Sequence, residues 1–275
     1  MTIAQTDSLA GGFRAPGNLP GRDLYDALLS WRLWTALGWN DIRRRYRRSI
    51  LGPFWITISM SLLAAALGSL YGQIFQTDLE SYLPYLTLGF IVWNFISTSL
   101  KESCQAFWGQ ADLIKQIRVP FALHVMRIIW TNLIVLLHTI IIIVPIWIWF
   151  RHWPSATALL ALPGVAVIGL NLLWVGLVLA VLNTRFRDVS QLVETVLQIM
   201  VFATPVMWPV NALGDRTWVA DFNPLYHLLE LVRAPLQGQV PEALSWIVAI
   251  SVAAAGCTLA ALLLRRVERR IVYWL

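Results

Sequence analysis

The chain has 275 residues, of which 58% are hydrophobic and only 13% are charged, and its net charge is +6. A charged share of about half that of an average soluble domain excludes an ordinary water-soluble fold and indicates an integral membrane protein. The net charge could suggest nucleic acid as a partner, but the cations lie at the ends of apolar runs and not along one soluble face, which argues against it.

The N-terminal part is predicted to have two segments. Residues 1–21 are polar and rich in Gly and Pro, and we expect a flexible N-terminus there. In residues 22–38, apolar side chains share one face of a helix: Leu24, Leu28, Trp31 and Trp34. Because a membrane span follows directly, residues 22–48 are predicted to form an amphipathic helix in the cytoplasmic membrane interface. A small soluble helical hairpin is the alternative.

Five arginines occupy six positions just before the first long apolar run: Arg43, Arg44, Arg45, Arg47 and Arg48. Such a cluster is typical of the cytoplasmic start of a membrane span. Guanidinium groups also pair with phosphate oxygens through planar forks. Arg44, Arg47 and Arg48 are therefore candidates to bind phosphate groups, although anchoring to anionic membrane lipid would use the same residues.

Six charge-poor runs predict six transmembrane helices, since each reaches the ~20 residues that a helix needs to cross a bilayer. These runs lack the alternation of barrel strands, and a helix satisfies its own backbone hydrogen bonds in lipid. Residues 49–275 are thus expected to form an all-α membrane domain. Its predicted spans cover residues 49–77, 81–100, 128–150 with a backward extension from Phe121, 153–184, 195–214 and 243–264.

The distribution of cations predicts the orientation of these spans. With a cytoplasmic N-terminus, 18 of the 21 Lys and Arg residues lie before span 1, in cytoplasmic loops or after span 6. Only Arg151, Arg216 and Arg233 are then left outside. Both termini are therefore expected in the cytoplasm.

The segment between spans 5 and 6, residues 205–242, is long and apolar for an outside loop. It contains Asn223-Pro224, a pair that can start a helix because Asn caps and Pro fits the first helical position. Leu225, Leu228, Leu229 and Val232 would share one face of that helix, with His227, Glu230 and Arg233 elsewhere. The pattern favours re-entrant helices that dip into the outer leaflet.

Catalytic and metal-binding patterns are weak in this sequence. A phosphate loop needs a Lys directly after a Gly, and neither Lys101 nor Lys115 follows a glycine. Any ATP and Mg²⁺ are thus expected on another polypeptide, with no cofactor and no metal in this chain. His138 is interpreted as a hydrogen-bonded core residue or a proton relay, and Glu194 as a functional carboxylate or a structural ion-pair partner of Arg185 or Arg187.

Five motifs occur in an order and spacing typical of one family: YRRSILGPFW (46–55), LGFIVWNFIS (88–97), LIKQIRVP (113–120), TPVMWP (204–209) and NPLYHLLELVRAPLQG (223–238). Through them the chain resembles the membrane subunit of ABC transporters of the ABC-2 type, in the branch that exports lipid-linked polysaccharides such as O-antigen. One departure is that residues 56–61 lack a proline that many members carry after the tryptophan of span 1.

The resemblance implies a permease and not an enzyme, in a bacterial inner membrane, working as a homodimer with two copies of a cytoplasmic ABC ATPase. Its cargo would be a polyprenyl-diphosphate-linked glycan. The resemblance further implies that the N-terminal amphipathic helix acts as a cytoplasmic gate near the lipid diphosphate, which makes Arg44, Arg47 and Arg48 the candidates to bind it. In such transporters the loops after spans 2 and 4 dock on the ATPase. The coupling candidates on those loops are Asp112, Lys115, Arg118, Arg185 and Asp188.

The resemblance also implies that spans 1 and 5 line the path of the glycan. Aromatic rings offer broad contact to sugars without demanding one hydroxyl pattern. The channel candidates on these spans are Trp55, Tyr71, Phe202 and Trp208. Each could equally belong to an aromatic belt at the membrane interface or to helix packing.

Other functions remain open from the sequence. An ABC-2 exporter of a capsule or teichoic-type glycan, or of a drug or small lipid, would share much of this pattern. A membrane glycosyl- or acyltransferase would need convergent acid, base or nucleophile groups, and no such set is evident. A scaffold would not explain the long apolar segment between spans 5 and 6.

Overall fold

The computed structural model describes residues 22–52, 54–74, 78–117, 119–151 and 153–275. The predicted flexible segment 1–21 and the coupling candidate Arg118 lie outside the described residues. Within the described ranges there are helices and no strand. The α-helices are α1 (Asp23–Leu29), α2 (Trp31–Tyr46), α3 (Phe54–Ile74), α4 (Leu79–Cys104), α5 (Ala111–Gln116), α6 (Phe121–Thr139), α7 (Ile143–Phe150), α8 (Ala161–Arg185), α9 (Val189–Ala203), α10 (Trp218–Asp221), α11 (Pro224–Leu236) and α12 (Ala243–Trp274).

Five stretches of the described chain are long and apolar enough to cross a membrane. They are α3, α4, α12 and two composite stretches, Phe121–Phe150 and Ala156–Arg185. The composite stretches join α6 to α7 and a 3₁₀ segment to α8. The predicted all-α membrane fold is confirmed.

The fifth predicted span differs from its prediction. Helix α9 has 15 residues, which at 1.5 Å per residue is about 22 Å, short of the hydrocarbon thickness. It ends at Ala203 because Thr204 precedes a proline and is extended, with φ −98° and ψ 143°. A 3₁₀ segment, Val210–Arg216, follows. A continuous helix over 195–214 is therefore wrong in its second half.

Helices α4 and α8 form the centre of the bundle, and α8 packs against α4, α11 and α12. Two close approaches depend on glycine. A Cβ on Gly164 would lie 2.3 Å from the backbone oxygen of Leu231, and one on Gly256 would lie 2.2 Å from the Trp174 ring. Small residues allow such contacts between membrane helices, so these glycines set how near α11 and α12 lie to α8.

The predicted start of α11 is confirmed. The Asn223 side chain accepts a hydrogen bond from the Leu225 N–H (3.0 Å), and Pro224 occupies the first turn. The helix packs among α4, α8 and α12, so its polar side is buried as well. His227 is 1% exposed and Arg233 is 0% exposed. Hydrogen bonds to Ser245 Oγ and to the Pro205 carbonyl, respectively, satisfy these buried side chains.

The N-terminal helix breaks at Ser30 into α1 and α2, and both pack against α6. The four residues of the predicted apolar stripe lie in two different environments. Leu24 and Trp34 pack into the core, whereas Leu28 and Trp31 stay more than half exposed and can face a membrane interface.

Charged side chains hold α1 and α2 to the bundle. The Asp23 carboxylate accepts hydrogen bonds from the backbone N–H groups of Phe121 (2.6 Å) and Ala122 (2.8 Å), which caps α6. Burial raises the pKa of Asp23 to about 6, and these two hydrogen bonds offset part of that effect. Asp41 on α2 forms a bidentate ion pair with Arg127 on α6.

Candidate functional site

The arginine cluster lines an open depression at the end of the bundle that carries the N-terminal helices. We call this depression the inner pocket; its volume is about 990 Å³. It unites Trp55, a channel candidate, with all three gate candidates. The lining residues are Arg44, Arg45, Arg47, Arg48, Ser49, Ile50, Leu51 and Trp55.

A tight turn between α2 and α3 shapes the inner pocket. Helix α2 ends at Tyr46 with basic residues in its last turn, where cations are favourable near the negative end of the helix dipole. The Ser49 hydroxyl then accepts a hydrogen bond from the Gly52 N–H (3.0 Å). Gly52 has φ +54°, a left-handed conformation that glycine adopts without strain. Trp55 then lies in the first turn of α3, beside the arginines in the same pocket.

The arginines of the inner pocket differ in their partners. Arg45 forms an ion pair with Glu102 (2.6 Å), and Glu102 also accepts a hydrogen bond from Asn132 (2.9 Å). In the described part of the chain no acidic side chain pairs with Arg44, Arg47 or Arg48, and all three are exposed. Their guanidinium groups are available to a multiply charged anion, which would also relieve their mutual repulsion.

The two predicted coupling loops form one surface at the same end. Asp112 and Lys115 lie exposed on α5, whereas Arg185 is the exposed last residue of α8 and Asp188 lies exposed just before α9. Two contacts join these loops. The Asn183 side chain donates to the Cys104 carbonyl (2.7 Å), and the Arg187 guanidinium lies 5.4 Å from the centre of the Trp108 ring.

The remaining channel candidates lie at the other end of the bundle. Trp208 Nε1 donates to the Phe202 carbonyl (2.8 Å), and the Phe202 ring is 65% exposed. Tyr71 on α3 lies near Tyr82 on α4. The structure therefore places Trp55 at the inner pocket and the other three at the opposite end, and it does not bring the four together.

The two uncertain polar residues of the spans differ in their surroundings. The His138 ring packs edge-to-face on Phe54, with 4.9 Å between ring centres. Its Nε2 atom is buried and has no hydrogen-bond partner among the described residues, so the predicted hydrogen bond is not observed at that atom. Glu194 lies 3.8 Å from Lys101, with both side chains nearly half exposed. Glu194 thus pairs with Lys101, and among the described residues its expected pairing with Arg185 or Arg187 is not observed.

Three residues with structural roles at these sites were missed from the sequence. Trp108 joins the coupling loops, Arg127 pairs with Asp41, and Arg233 lies wholly buried with its guanidinium 3.9 Å from the centre of the Tyr85 ring. An arginine that follows an apolar helix start is a signal that could have identified Arg127 on α6. Helix α11 also contains His227 and Glu230, so its sequence carries no such signal for Arg233.

A bundle of membrane-crossing helices, with a cationic pocket at one end and paired polar loops beside it, defines a multi-pass membrane protein with the features of a permease. Residues 32–236 match the family described as ABC-2 type transporter, and the chain belongs to this family. It is the permease of an ABC-2 transporter, a transporter subunit, and membership of this family implies partnership with an ATPase subunit.

Curated relatives are similar over most of the chain. The O-antigen export system permease protein RfbA of Myxococcus xanthus is 25% identical over 206 residues, which cover 74% of this chain and 79% of that protein. Two proteins of the same name from Klebsiella pneumoniae are each 22% identical over 192 residues, covering 69% of this chain and 74% of the relative.

Proposed function

We propose that the chain is the permease of an ATP-driven exporter that moves lipid-linked polysaccharide of the O-antigen class from the cytoplasm to the periplasm. Two observations support this function. Three relatives bear the name of O-antigen export permeases. The inner pocket places three unpaired arginines beside Trp55, and this is the observation that carries the proposal.

The inner pocket suits a ligand with a diphosphate followed by a sugar. Planar guanidinium forks bind phosphate oxygens in pairs, so Arg44, Arg47 and Arg48 would hold the diphosphate of a polyprenyl carrier. The Trp55 ring would then contact the first sugar, since it is 56% exposed in the same pocket. A neutral drug gains little from three guanidinium groups. The same pocket would accept a capsule or teichoic-type glycan on such a carrier.

The exposed apolar faces support a homodimer. Only 11% of the most apolar stretch of α3 is buried, against 67% for α4. Helix α9 likewise exposes a row of large apolar side chains: Leu192, Val196, Ile199 and Phe202. A second copy that covers α3 and α9 would enclose a path between the inner pocket and the aromatic residues at the opposite end.

The joined coupling loops are the proposed docking surface for two copies of a cytoplasmic ATPase, which would bind the ATP and Mg²⁺. In this arrangement both termini are cytoplasmic and the membrane is the bacterial inner membrane, as the cation bias also predicts. Asp112, Lys115, Arg185 and Asp188 would contact the ATPase. Arg118, on the same predicted loop, is proposed from the sequence.

The test is ATP hydrolysis by the chain reconstituted with its ATPase in proteoliposomes. A polyprenyl-diphosphate-linked oligosaccharide should stimulate hydrolysis, whereas the same polyprenyl diphosphate without sugar should stimulate it less. Equal stimulation by both compounds would argue for a lipid exporter. No stimulation by either would contradict the proposed cargo.

A further inference from the structure

A second cavity opens at the end of the bundle opposite the inner pocket, and we call it the outer cavity. It has a volume of about 700 Å³ and lies between the starts of α4 and α12 and the segment from the 3₁₀ turn to α11. Aromatic and acidic side chains dominate its chemistry. They are Tyr82, Tyr85, Tyr226, Asp221, Glu230 and Glu242.

The walls of the outer cavity are fixed by hydrogen bonds to backbone groups. The Tyr85 hydroxyl donates to the carbonyl of Pro205 (3.1 Å) or Trp208 (3.0 Å), and the Tyr82 hydroxyl donates to the Met207 carbonyl. His227 bridges the Asp221 carbonyl (2.8 Å) and the Ser245 hydroxyl (2.9 Å), which joins α10 to α12. The Tyr82 and Tyr85 rings are therefore held in place before any ligand enters, and a preformed site loses less entropy on binding. Tyr82 is only 2% exposed and the Arg233 guanidinium covers the Tyr85 ring, so the half-buried Tyr226 ring is the main aromatic contact left for a ligand.

The charge of the outer cavity is negative. Glu230 pairs with the buried Arg233 at the back of the wall. In the described part of the chain Asp221 and Glu242 have no ion-pair partner, and both are exposed. No three acidic, His or Cys side chains among the described residues are grouped to hold a metal ion. Carboxylates placed like this can accept hydrogen bonds from ligand hydroxyl or ammonium groups.

This combination of groups fits a sugar. The Tyr226 ring would contact the apolar face of a ligand, while carboxylates and the amides of Gln237 and Gln239 would bind its hydroxyl groups. A drug-like ligand would instead prefer a mainly apolar lining. The cavity also adjoins Trp208, because Tyr85 bonds to the Trp208 carbonyl.

We propose that the outer cavity binds sugar units of the exported glycan and prefers neutral or amino-bearing sugars over anionic ones. The inference rests on the proposed function for its cargo and adds a charge selectivity at the exit. Uronic acids would meet Asp221 and Glu242 as like charges, and glucosamine units would meet them as opposite charges.

Protection of a reporter cysteine in the complete complex tests this proposal. The reporter is Val240→Cys in a Cys104→Ser, Cys257→Ser background, because Val240 is an exposed lining residue and not one of the proposed sugar-binding groups. The control is Trp153→Cys, at an exposed position that does not line the cavity. A neutral polyethylene-glycol maleimide labels the reporter in the presence of linear hexamers of glucose, glucosamine or galacturonic acid. The glucose and glucosamine hexamers should slow labelling of the Val240→Cys protein and not of the control, and the galacturonate hexamer should protect about fivefold less well.

The charge selectivity is tested by Asp221→Asn with Glu242→Gln, at two exposed positions where folding should be retained. These changes should reduce the advantage of glucosamine over galacturonate by about fivefold. No protection by any hexamer, or equal protection by galacturonate in the unaltered cavity, would overturn the proposal. If either of these results is found while the glycan-lipid still stimulates ATP hydrolysis, only the proposed sugar site in the outer cavity is rejected. Protection without that stimulation would instead count against the proposed function.

Discussion

At the scale of single residues, Asp23 gives the N-terminal helices a pH-dependent attachment. Its pKa is about 6 in the folded protein, against 3.8 for the free side chain, because burial disfavours the carboxylate. Between these values the folded protein binds a proton that the unfolded chain does not. Its contribution to stability therefore falls as the pH rises from about 4 to 6 and stays constant above that range.

The Asp23→Asn variant should lack this dependence. The difference in melting temperature between the wild type and the variant, measured in detergent, should decline between pH 4 and 6 and then level off. Asp112→Asn, at an exposed position on α5, is the control for loss of one charge. A constant difference between wild type and Asp23→Asn across this range would disprove the role of Asp23 ionisation.

Gly164 limits how closely α8 and α11 approach. A methyl group there would overlap the Leu231 backbone, which cannot rotate away as a side chain could. We expect Gly164→Ala to lower the free energy of unfolding by about 1–3 kcal/mol. Gly169→Ala is a matched control on the same helix, because no other heavy atom outside its own helix lies within 4 Å of that position. Equal stability of the two variants in a thermal or denaturant titration would refute the close approach.

Some residue-scale features could be predicted because they depend on neighbours in sequence. Asn223-Pro224 starts α11 as expected, since a cap needs only the next few residues. Arg233 was counted as an outside loop cation, and its burial could not be predicted. Its partners Tyr85 and Pro205 come from distant parts of the chain and meet it only in the folded bundle.

At the scale of elements, α2 is held by two charged contacts that reach the first coupling loop. Arg127 pairs with Asp41 on α2 and also donates to Gln110 (3.3 Å), just before α5. Glu102 pairs with Arg45 and lies at the end of α4, directly before the same loop. A movement of α2 would therefore be transmitted to the predicted ATPase docking surface.

Asp41→Ala should release α2 while the spans stay folded. In this variant the largely buried Arg127 lacks its carboxylate partner, and an unpaired buried charge destabilises the folded state. Hydrogen exchange of the backbone amides in α2 should become roughly tenfold faster or more, with exchange in α8 unchanged. Asp188→Ala, at an exposed position, is the control. Unchanged exchange in α2 would show that the ion pair does not hold it.

The element scale also shows where hydropathy alone is insufficient. The long spans were predicted because each is a continuous apolar run. The fifth run is equally apolar, but Thr204-Pro205 interrupts its helix and a 3₁₀ segment continues the chain. The conformation of the residue before a proline could have indicated this end. That the following segment packs against α4 could not be predicted, because it depends on contacts such as Gly89 with Val206.

At the scale of the whole molecule, the two coupling loops are proposed to dock on the ATPase. Asp112→Lys with Asp188→Lys reverses two exposed charges on this surface and should weaken co-purification of the ATPase by roughly tenfold or more. Asp221→Lys, at the opposite end of the bundle, should leave assembly unchanged. Full assembly of the double variant would place the docking surface elsewhere.

The central claim is that the inner pocket recognises the diphosphate of a lipid-linked glycan. Arg44→Lys, Arg47→Lys and Arg48→Lys together keep the positive charge that orients the span and remove the planar forks. Arg265→Lys, Arg266→Lys and Arg269→Lys near the end of α12 form the matched control. Insertion and dimerisation should be preserved in both proteins.

The decisive measurement is ATP hydrolysis stimulated by polyprenyl-diphosphate-linked oligosaccharide in proteoliposomes that contain the permease and its ATPase. We expect stimulation to fall about tenfold in the protein with lysines at the inner pocket and to persist in the control. Full stimulation in the inner-pocket variant would contradict diphosphate recognition and leave the arginines as a membrane anchor.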